Sequence, residues 1–518
     1  MEKEQYQDYW APYTPAHLVK SFELLERALD PAGDYNSPDK SRRALILLFS
    51  KILQTNEKLV GSLLSLKEPI AKWAFIINYF KEKNIFENIF FGQLYYDEPK
   101  MIRCVTDAMV FHRNFSNLTD GRMPKNGYTH GDSFDLDEAI AKAIGEFLER
   151  FSLLIYREKD LIRASLKELK NRGRKLYLGA EDLSVFSDKQ KTQNSRFRFN
   201  HESNFLWTEA KSLFDNRPYL IPAQLIFWNY VTNHQNWLEP TLREPNTNGA
   251  GGHYTFTQAV LSGLYELIQR DGFLIYWLNG QAPPQIDLET IEYEPLKRFI
   301  DECQRLRFEI HFYNTTSDLN VPSCICTVFD HSGIGPKISM GGGCEMDWDK
   351  MLLRAVTEAF GVYHWLRQRK DRGEKYLSLD KSYKPFQDDT FEQSNRLSLW
   401  GNEKMFDHFQ FFLQGEMQSV EELKKKYQKF LSSEEELDYL IEKFKARGKD
   451  YEVFCYQANH EILKDLNYFS VKVIVPALVP LYLREVLAPL GAKRLKEVPE
   501  KLGFKPAREW NPWPHPFP

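Results

Sequence analysis

A glycine followed at a fixed interval by a glutamate occurs three times along the chain, each time with a small residue about one helical turn before the glutamate. The pairs are Gly131 with Glu146, Gly251 with Glu266, and Gly343 with Glu358, and the small residues are Ala143, Gly263 and Ala355. Glycine permits a tight turn or a close backbone approach at the start of a helix. The pattern therefore predicts three helices of one kind, each presenting a carboxylate.

Each repeat predicts an amphipathic helix that begins shortly after its glycine. Asp135 and Thr255 stand where helix N-caps would lie, because their side-chain oxygens can accept a hydrogen bond from the first turn. An apolar stripe follows at helical spacing in every copy: Ile140, Ile144, Phe147 and Phe151 in the first, Val260, Leu264 and Leu267 in the second, and Leu352, Val356 and Ala359 in the third. The glutamates lie off this stripe.

The carboxylates favour a cation-binding site. Glu146 and Glu149 are three residues apart and share one side of a helix. A single Glu-x-x-Glu-Arg segment is usually a solvated face, but three copies in phase would bring together carboxylates that repel one another unless a cation lies between them. Mg²⁺ suits such a cluster, since it takes oxygen ligands and shares its shell with water and phosphates. Arg150, Arg270 and Arg354 could balance this charge or hold a phosphate.

Other phosphate-binding and catalytic patterns are weaker in this sequence. No G-x-x-x-x-G-K-[ST] loop and no protein kinase signature occur. The glycines at 341–343 alone would be a weak phosphate cradle, so we interpret them as the turn that opens the third helix. His253 and His515 are the nearest candidates for a general base, and both are more typical of structural histidines. We assign no protein nucleophile.

Composition is that of an ordinary globular chain. Its 518 residues carry a net charge of −4, with 42% hydrophobic and 27% charged residues, which allows a normal core and gives no support for nucleic-acid binding. The six cysteines are interpreted as buried thiols, since the close pair Cys324 and Cys326 is a weak metal signal. The polar N-terminus lacks a signal peptide, and residues 471–490 contain charges and three prolines. We therefore expect a cytoplasmic protein that does not cross a membrane.

Two regions are predicted along the chain. Residues 1–124 should be mostly helical, with apolar residues at helical spacing at 43–53 and 70–80, and they contain no chemical motif. From residue 125, helical patterns alternate with β-rich runs such as 218–222 and 308–312, which predicts layered α+β structure. Residues 371–450 are highly charged, predicted to be helical, and interpreted as a solvated face.

The three repeats resemble the motifs of the YcaO family. Its first motif, a glycine turn followed by S-A-x-x-E-x-x-E-R, is similar to residues 131–150. Its second, N-G-x-A-A-G followed by L-x-E-x-I-E-R-D, is similar to residues 248–253 and 264–271, and its third, G-x-G followed by R-A-x-x-E, to residues 341–343 and 354–358. The resemblance covers residues 125–518 and implies a layered α+β catalytic domain that binds ATP and Mg²⁺, with residues 1–124 as a helical extension.

The resemblance implies site residues one by one. ATP contacts are expected from Lys142, Glu146, Tyr254, Gln258, Glu266, Arg270 and Arg354, and metal contacts from Glu146, Glu149, Glu266 and Gln269. The chain departs from the family where Lys142 replaces a usual serine, Tyr254 a common asparagine, and Gln258 and Gln269 common glutamates. Gln269 keeps an oxygen ligand but loses a charge, which places the affinity for a second Mg²⁺ in doubt. Lys142 either replaces some of the positive charge of that second Mg²⁺ or is a surface lysine.

The last eight residues of the sequence carry proline at alternate positions. Such an end is often disordered, but a polyproline II segment is stiff and loses little entropy when it docks. The tail is similar to that of YcaO members that cyclise ribosomally made peptides, where it reaches towards the active site. Pro514, Pro516 and Pro518 are therefore expected near the site.

This resemblance implies an azoline-forming cyclodehydratase. The expected reaction closes Cys, Ser or Thr of a ribosomally made precursor peptide to a thiazoline or oxazoline by phosphorylating the amide oxygen. The resemblance further implies a separate leader-binding partner protein, a flavin dehydrogenase in the same pathway, and a homodimer. Thioamide or amidine formation at the same ATP site is one alternative, and a non-catalytic scaffold is another, because Gln258 and Gln269 could mark lost hydrolysis.

Overall fold

The computed structural model describes residues 76–107, 119–121, 128–173, 177–379, 383–388 and 391–518, except residues 78, 81, 84–88, 93 and 94. The predicted helix at 43–53, most of the region 1–124, and the boundary between residues 124 and 125 lie outside the described residues. At the end of the predicted helical segment 70–80, Ile76 and Phe80 are helical and buried.

Sixteen strands lie in the described part of the chain. They are β1 (Ile89–Phe91), β2 (Ile102–Asp107), β3 (Tyr128–Ser133), β4 (Ile162–Ser165), β5 (Asn204–Ser212), β6 (Pro218–Pro222), β7 (Asn233–His234), β8 (Trp237–Leu238), β9 (Ala250–His253), β10 (Gln285–Asp287), β11 (Phe308–Asn314), β12 (Ser323–Asp330), β13 (Ile338–Cys344), β14 (Met417–Ser419), β15 (Phe454–Gln457) and β16 (Phe469–Ile474). The β-rich runs predicted at 218–222 and 308–312 are confirmed as β6 and the start of β11.

The numbered helices alternate with these strands. They are α1 (Leu136–Leu154), α2 (Leu166–Asn171), α3 (Ala180–Leu183), α4 (Asp188–Gln193), α5 (Phe256–Leu278), α6 (Glu294–Arg305), α7 (Trp348–Asp371), α8 (Gln393–Trp400), α9 (Phe406–Phe409), α10 (Val420–Lys424), α11 (Ser433–Lys445), α12 (Glu461–Asp465) and α13 (Arg494–Glu497). The charged segment 371–450 holds four of these helices but also β14, so it is less helical than predicted.

Three sheets organise the strands. Their orders are β1-β2-β3, then β4-β5-β15-β16-β9 with β6 on β5, and β13-β12-β11-β10-β14, while β7 and β8 form a separate hairpin. Pairing is antiparallel throughout these sheets except between β10 and β14. The long helices α1, α5 and α7 pack against β3, β9 and β13 respectively. The fold is thus the layered α+β arrangement that the sequence predicted.

The first sheet joins residues from both predicted regions. β1 and β2 belong to the region expected to be mostly helical, yet β2 pairs with β3 over six residues. A buried ion pair ties the same two strands, because Arg103 Nε lies 3.0 Å from Asp132 Oδ1. Glu98 also contacts α7, with Arg367 Nη1 donating to its Oε1 at 2.7 Å. The described N-terminal segment therefore pairs with the strand of the first repeat and contacts the helix of the third.

The three glycine–glutamate repeats share one local structure, a strand whose glycine packs directly on the helix that follows. A Cβ atom added to the glycine would lie 2.1 Å from the Ala139 carbonyl oxygen at Gly131, 2.1 Å from that of Ala259 at Gly251, and 2.3 Å from that of Met351 at Gly343. No side chain fits at such distances, which explains why each repeat begins with glycine.

Local helix chemistry follows the prediction closely. Asp135 Oδ1 accepts a hydrogen bond from the Glu138 backbone N–H at 2.9 Å, and Thr255 Oγ1 accepts one from Gln258 at 3.4 Å, which confirms both N-caps. Asp347 caps the third helix in the same way. The apolar stripes predicted for the three helices are buried. Burial of these stripes against the strands turns each glutamate towards the opposite side of its helix.

Candidate active site

Each repeated glutamate accepts a hydrogen bond from a backbone N–H in or beside the strand that precedes its helix. The donors are His130 to Glu146 at 2.7 Å, Gly249 to Glu266 at 2.9 Å, and Gly342 to Glu358 at 2.6 Å. Gly249 adopts a φ of 84°, a left-handed conformation that glycine tolerates best. The sequence repeat is therefore also a repeat of carboxylate orientation, set by the backbone.

Helices α1 and α5 bring the carboxylates of Glu146, Glu149 and Glu266 into one cluster. Burial, followed by the neighbouring carboxylates of Glu266 and Glu146, raises the pKa of Glu149 to about 8. Glu146 is itself paired with Arg150, whose Nη2 lies 2.5 Å from its Oε1. A carboxyl that burial and neighbouring carboxylates hold protonated near neutral pH indicates a shortage of positive charge, which a divalent cation would relieve.

Helix α7 adds an arginine to the same cluster. The Arg354 side chain is 50% exposed, and its Nη1 lies 3.5 Å from Glu345 Oε1. The carboxylates of Glu358 and Glu266 also act electrostatically on Arg354. Burial raises the pKa of Glu345, and Arg354 opposes that rise. The predicted arginine thus lies between the second and third repeats, with part of its guanidinium open to a ligand.

Arg270 on α5 is the most enclosed cation of the cluster. Its side chain is largely buried, and its Nη2 lies 3.5 Å from Glu266 Oε1. Its Nε and Nη1 are buried and have no hydrogen-bond partner in the described part of the chain. Because unsatisfied buried donors are costly, they are explained best by a ligand that supplies acceptor oxygens. A phosphate has this chemistry.

The proline-rich tail runs beside α5 and ends at Arg270. Trp277 Nε1 donates to the Trp513 carbonyl at 3.2 Å, and Trp400 Nε1 donates to the Pro514 carbonyl at 2.8 Å. Pro514 and Pro516 are buried, and Pro518 is partly exposed. The Phe517 ring centre lies 3.9 Å from the Arg270 guanidinium. The structure therefore places the alternating prolines next to the carboxylate cluster.

The remaining predicted residues lie in different surroundings. Lys142 Nζ lies 2.7 Å from Glu138 Oε1 and donates to the Asp132 carbonyl at 3.1 Å. Gln258 Nε2 donates to Ser433 Oγ at 3.0 Å, at the start of α11. Tyr254 packs edge-on against Tyr468 with ring centres 5.2 Å apart. Lys142 and Gln258 are thus held by partners on the protein surface, and their contacts with ATP stay predictions.

Gln269 lies at the meeting point of the second and third repeats. It is buried, and a Cβ atom on Gly342 would lie 2.3 Å from its Nε2. Gly342 is the residue whose N–H donates to Glu358. The amide that replaces a common glutamate therefore faces the third strand, within the same cluster.

Several side chains at the cluster were not predicted as ligands. Lys472 on β16 is buried, and its Nζ donates to the Asn246 carbonyl at 2.6 Å. Burial lowers the pKa of Lys472 to about 8, against the opposing effect of Glu266 and Glu149. Both polar atoms of the Asn248 side chain are buried without a partner among the described residues. Asn248 stands in the N-G motif, which signalled it, whereas no spacing pattern links Lys472 to the repeats.

The two histidines considered as general bases, and the six cysteines, have structural surroundings. His253 Nδ1 accepts from the Thr255 backbone N–H at 3.1 Å, at the start of α5. His515 is buried, and burial followed by the charge of Arg396 holds its pKa well below the usual value. All six cysteines are free and buried, and burial raises their pKa values. The buried thiols are therefore not activated as thiolates, and His253 and His515 have structural partners.

The site fits Mg²⁺ through few protein ligands. Among the described residues, no three His, Cys, Asp or Glu side chains form a group that could hold a metal ion by themselves. Mg²⁺ is commonly held by one or two carboxylates together with water and substrate phosphates. The raised pKa of Glu149 indicates a carboxylate available to a cation, and the unpaired donors of Arg270 indicate room for a phosphate.

No helix in the described ranges is long and apolar enough to span a membrane.

A protein family and a known protein both match part of this chain. The model of a family described as YcaO cyclodehydratase, ATP- and Mg²⁺-binding, matches residues 130–479. An uncharacterized protein of Methanothermobacter thermautotrophicus is 23% identical over 158 residues, which cover 30% of this chain and 40% of that protein.

Solved structures show the same fold. A heterocyclase in complex with substrate and cofactor has a TM-score of 0.63 at 21% identity, over 84% of this chain and 55% of that one. The heterocyclase TruD has a TM-score of 0.56 at 22% identity, over 73% and 50%. YcaO of Methanopyrus kandleri bound with AMPPCP and Mg²⁺ has a TM-score of 0.53 at 17% identity, over 79% and 91%. The chain thus spans about half the length of the two heterocyclases.

The family model covers more than half of the sequence and all three repeats. The chain belongs to the YcaO cyclodehydratase family of ATP- and Mg²⁺-binding enzymes.

Proposed function

We propose that this protein uses ATP to activate a peptide backbone amide and closes Cys, Ser or Thr side chains of a ribosomally made precursor peptide into thiazolines or oxazolines. The observation that carries the proposal is the meeting of the Glu149 and Glu266 carboxylates with the unpaired donors of Arg270, beneath the end of the tail. Carboxylates for a cation and an arginine for phosphate are the parts that a phosphoryl-transfer site requires.

Phosphorylation solves the chemical difficulty of this reaction. When the substrate thiol or hydroxyl attacks the preceding carbonyl carbon, the adduct collapses back because its oxygen is a poor leaving group. Transfer of the γ-phosphoryl group from ATP to that oxygen releases ADP. Phosphate then departs with the former carbonyl oxygen, and the amide nitrogen loses its proton. The resulting C=N bond turns the ring formed by the side-chain attack into the azoline. The enzyme's task is positioning and charge stabilisation, which needs no protein nucleophile.

The proposed roles follow from position. Glu146, Glu149, Glu266 and Gln269 are the proposed metal ligands, and Lys142, Tyr254 and Gln258 are proposed to contact the nucleotide with Glu146, Glu266, Arg270 and Arg354. Bound Mg²⁺ would supply positive charge to the phosphates. Arg270 and Arg354 would orient phosphate oxygens, and Pro514, Pro516 and Pro518 would position the end of the chain beside them. Phe517 would help to keep water from the Arg270 side of the site.

Partners are proposed from the same reaction. A leader-binding protein would present the precursor peptide, and a flavin dehydrogenase could oxidise azolines afterwards. The heterocyclase whose structure resembles this chain was solved in complex with substrate and cofactor, which supports a role in modifying a bound substrate. We further propose a cytoplasmic homodimer, with residues 1–124 as an N-terminal region and residues 125–518 as the catalytic domain.

Two other activities would use the same site. Thioamide or amidine formation needs the same amide activation with a different nucleophile. A scaffold would keep the fold without hydrolysis, but the carboxylate cluster with its buried, unpaired Arg270 donors favours a working nucleotide site. The mass of the product distinguishes ring closure, which removes one water per ring, from sulfur incorporation.

The first experiment is calorimetry of Mg²⁺-dependent ATP binding to the wild type, Glu146→Ala and Glu266→Ala. Glu202→Ala is the matched control, because Glu202 forms an exposed ion pair with Lys167 on another part of the surface. We expect binding by the wild type and the control only. Equal binding by all four proteins would contradict the site, and no binding by the folded wild type would contradict the function unless the leader-binding partner restored it.

A further inference from the structure

Lys472 is an unusual buried charge in the sheet β4-β5-β15-β16-β9. It lies on β16, where it pairs with Ala250 of β9 and Tyr456 of β15. Its neighbours Val471 and Val473 are both fully buried, and Lys472 itself is 2% exposed. The strand is therefore buried on both faces, and an apolar residue would be the ordinary occupant of position 472. Enclosing an ammonium at such a place is costly unless nearby negative charge compensates it.

The compensating charge comes from the nucleotide site. The Lys472 ammonium donates to the Asn246 carbonyl, in the loop whose Gly249 N–H donates to Glu266. The carboxylates that act on Lys472 are those of Glu266 and Glu149. Lys472 thus approaches the cluster from the sheet, on the side of the β9 strand.

Among the described residues, the other two glutamates of the cluster have arginine partners, whereas Glu149 has no ion-pair partner. Glu146 is paired with Arg150, and Glu266 lies beside Arg270. Glu149 belongs to none of the ion pairs formed within the described ranges, and Arg150 and Lys472 are the cations that act on its carboxyl. Since Arg150 is bound to Glu146, Lys472 is the buried cation on the Glu149 and Glu266 side of the cluster.

We propose that Lys472 is a resident cation of the nucleotide site, which occupies the sheet side of the Glu149–Glu266 pair and limits how many divalent cations bind there. This inference rests on the nucleotide site proposed above. It assigns Lys472 as a positioning residue, because its ammonium acts through the two carboxylates and has no role in the transfer itself. Gln269, which lacks a charge, agrees with a site adapted to fewer metal ions.

The test counts divalent cations without turnover. Mn²⁺ bound in the presence of a non-hydrolysable ATP analogue is titrated by electron paramagnetic resonance for the wild type, Lys472→Met, Lys472→Gln and Lys472→Arg. Lysine and methionine are similar in length, glutamine keeps a donor for the Asn246 carbonyl, and arginine keeps the charge. Lys211→Met is the control, since Lys211 is an exposed lysine of the same sheet.

Removing a positive charge beside two carboxylates strengthens their attraction for cations. We expect Lys472→Met and Lys472→Gln to bind Mn²⁺ roughly tenfold more tightly or to take up an additional ion, while Lys472→Arg and Lys211→Met match the wild type. Unchanged Mn²⁺ affinity and number in the Met and Gln variants would overturn the inference. So would failure of both to fold while Lys472→Arg folds, because that would assign a structural role. A wild type that binds no nucleotide would instead contradict the proposed function.

Discussion

The Arg270 guanidinium lies over the ring of Phe517, 3.9 Å from its centre, so the end of the chain covers the one arginine of the site that is almost enclosed. Phe517 is fully buried and packs against Phe273 of α5 with ring centres 5.1 Å apart. A cation over an aromatic ring is stabilised while its N–H groups in the guanidinium plane stay available. The ring therefore holds Arg270 without using its donors.

Substitution of this ring should weaken the site. We expect Phe517→Ala to lower nucleotide affinity or turnover by roughly threefold to thirtyfold, because an enclosed cation–π contact contributes about 0.5–2 kcal/mol. Steady-state ATP consumption and calorimetry measure the effect. Phe504→Ala is the control, since Phe504 packs on Tyr276 of the same helix at 5.3 Å. Equal effects of the two variants would show that the ring acts only through general packing.

Arg396 contacts the proline-rich tail and should contribute to the stability of the folded protein. Arg396 is fully buried, and its Nη1 donates to the Tyr482 carbonyl at 2.7 Å and contacts His515. Burial raises the pKa of the nearby Glu485 to about 7, and Arg396 opposes that rise. We expect Arg396→Met to lower the free energy of unfolding by about 3–5 kcal/mol, because a buried charge loses its partner. Denaturant unfolding measures this loss.

The Arg396→Met variant should also weaken the packing of the proline-rich tail against the rest of the protein. Carboxypeptidase should remove residues from Arg396→Met faster than from the wild type. Arg298→Met is the control, because Arg298 forms an exposed ion pair with Glu294 one helical turn away, a contact worth only about 0.3–0.5 kcal/mol. A tail that stays resistant in Arg396→Met would contradict the assignment of Arg396 as its anchor.

Glu149 should make the metal-free protein less stable as pH rises. Its pKa in the folded protein is about 8, above the usual 4.5, so the folded chain keeps a proton that the unfolded chain releases. Stability is therefore lost as pH increases from the usual value to about 8, and the loss then stays constant. We expect Glu149→Gln to be more stable than the wild type by roughly 1–3 kcal/mol at about pH 8, a range reduced for partial exposure.

Thermal unfolding without Mg²⁺ checks this prediction. The difference between Glu149→Gln and the wild type should shrink greatly at about pH 5, because only a small part of the pH-dependent loss has accumulated so close to the usual pKa of 4.5. Glu202→Gln should show no such change, because its carboxylate is exposed. A difference that does not depend on pH would mean that Glu149 is not held protonated by its neighbours.

Glu146 should be required for catalysis. Its carboxylate accepts the His130 N–H and pairs with Arg150, so glutamine keeps the size while removing the charge. We expect Glu146→Gln to lower ATP consumption by roughly a hundredfold or more, as loss of a preorganised charge does at other active sites. Full turnover in this variant would refute the assignment. Glu181→Gln, an exposed glutamate near His201, is the control.

Local chemistry made the repeats predictable. Asp135 and Thr255 cap helices because capping depends on residues within one turn, and Gly131 packs on Ala139 only eight positions later. The strand at 218–222 was equally visible from its β-rich composition. Such features depend on short separations in sequence, so they can be inferred without the fold.

The β1 and β2 strands were not predicted. Their short apolar runs give little periodic signal, and their partner β3 lies beyond the predicted boundary at residue 124. Strand pairing is decided by a distant partner as much as by the strand itself. The same reason explains why the charged segment 371–450 contains β14, which pairs with β10.

By itself the sequence determined that three strand–helix units recur, that each presents a glutamate, and that the chain is a YcaO family member. The tertiary structure alone decided which charges meet. Glu149 lies near Glu266 because α1 and α5 both contact β9 and β16. Lys472 joins them from β16, more than two hundred residues after the second repeat's glycine. Electrostatic energy depends on distance in space and on burial, and neither quantity is written in the spacing of residues along a chain.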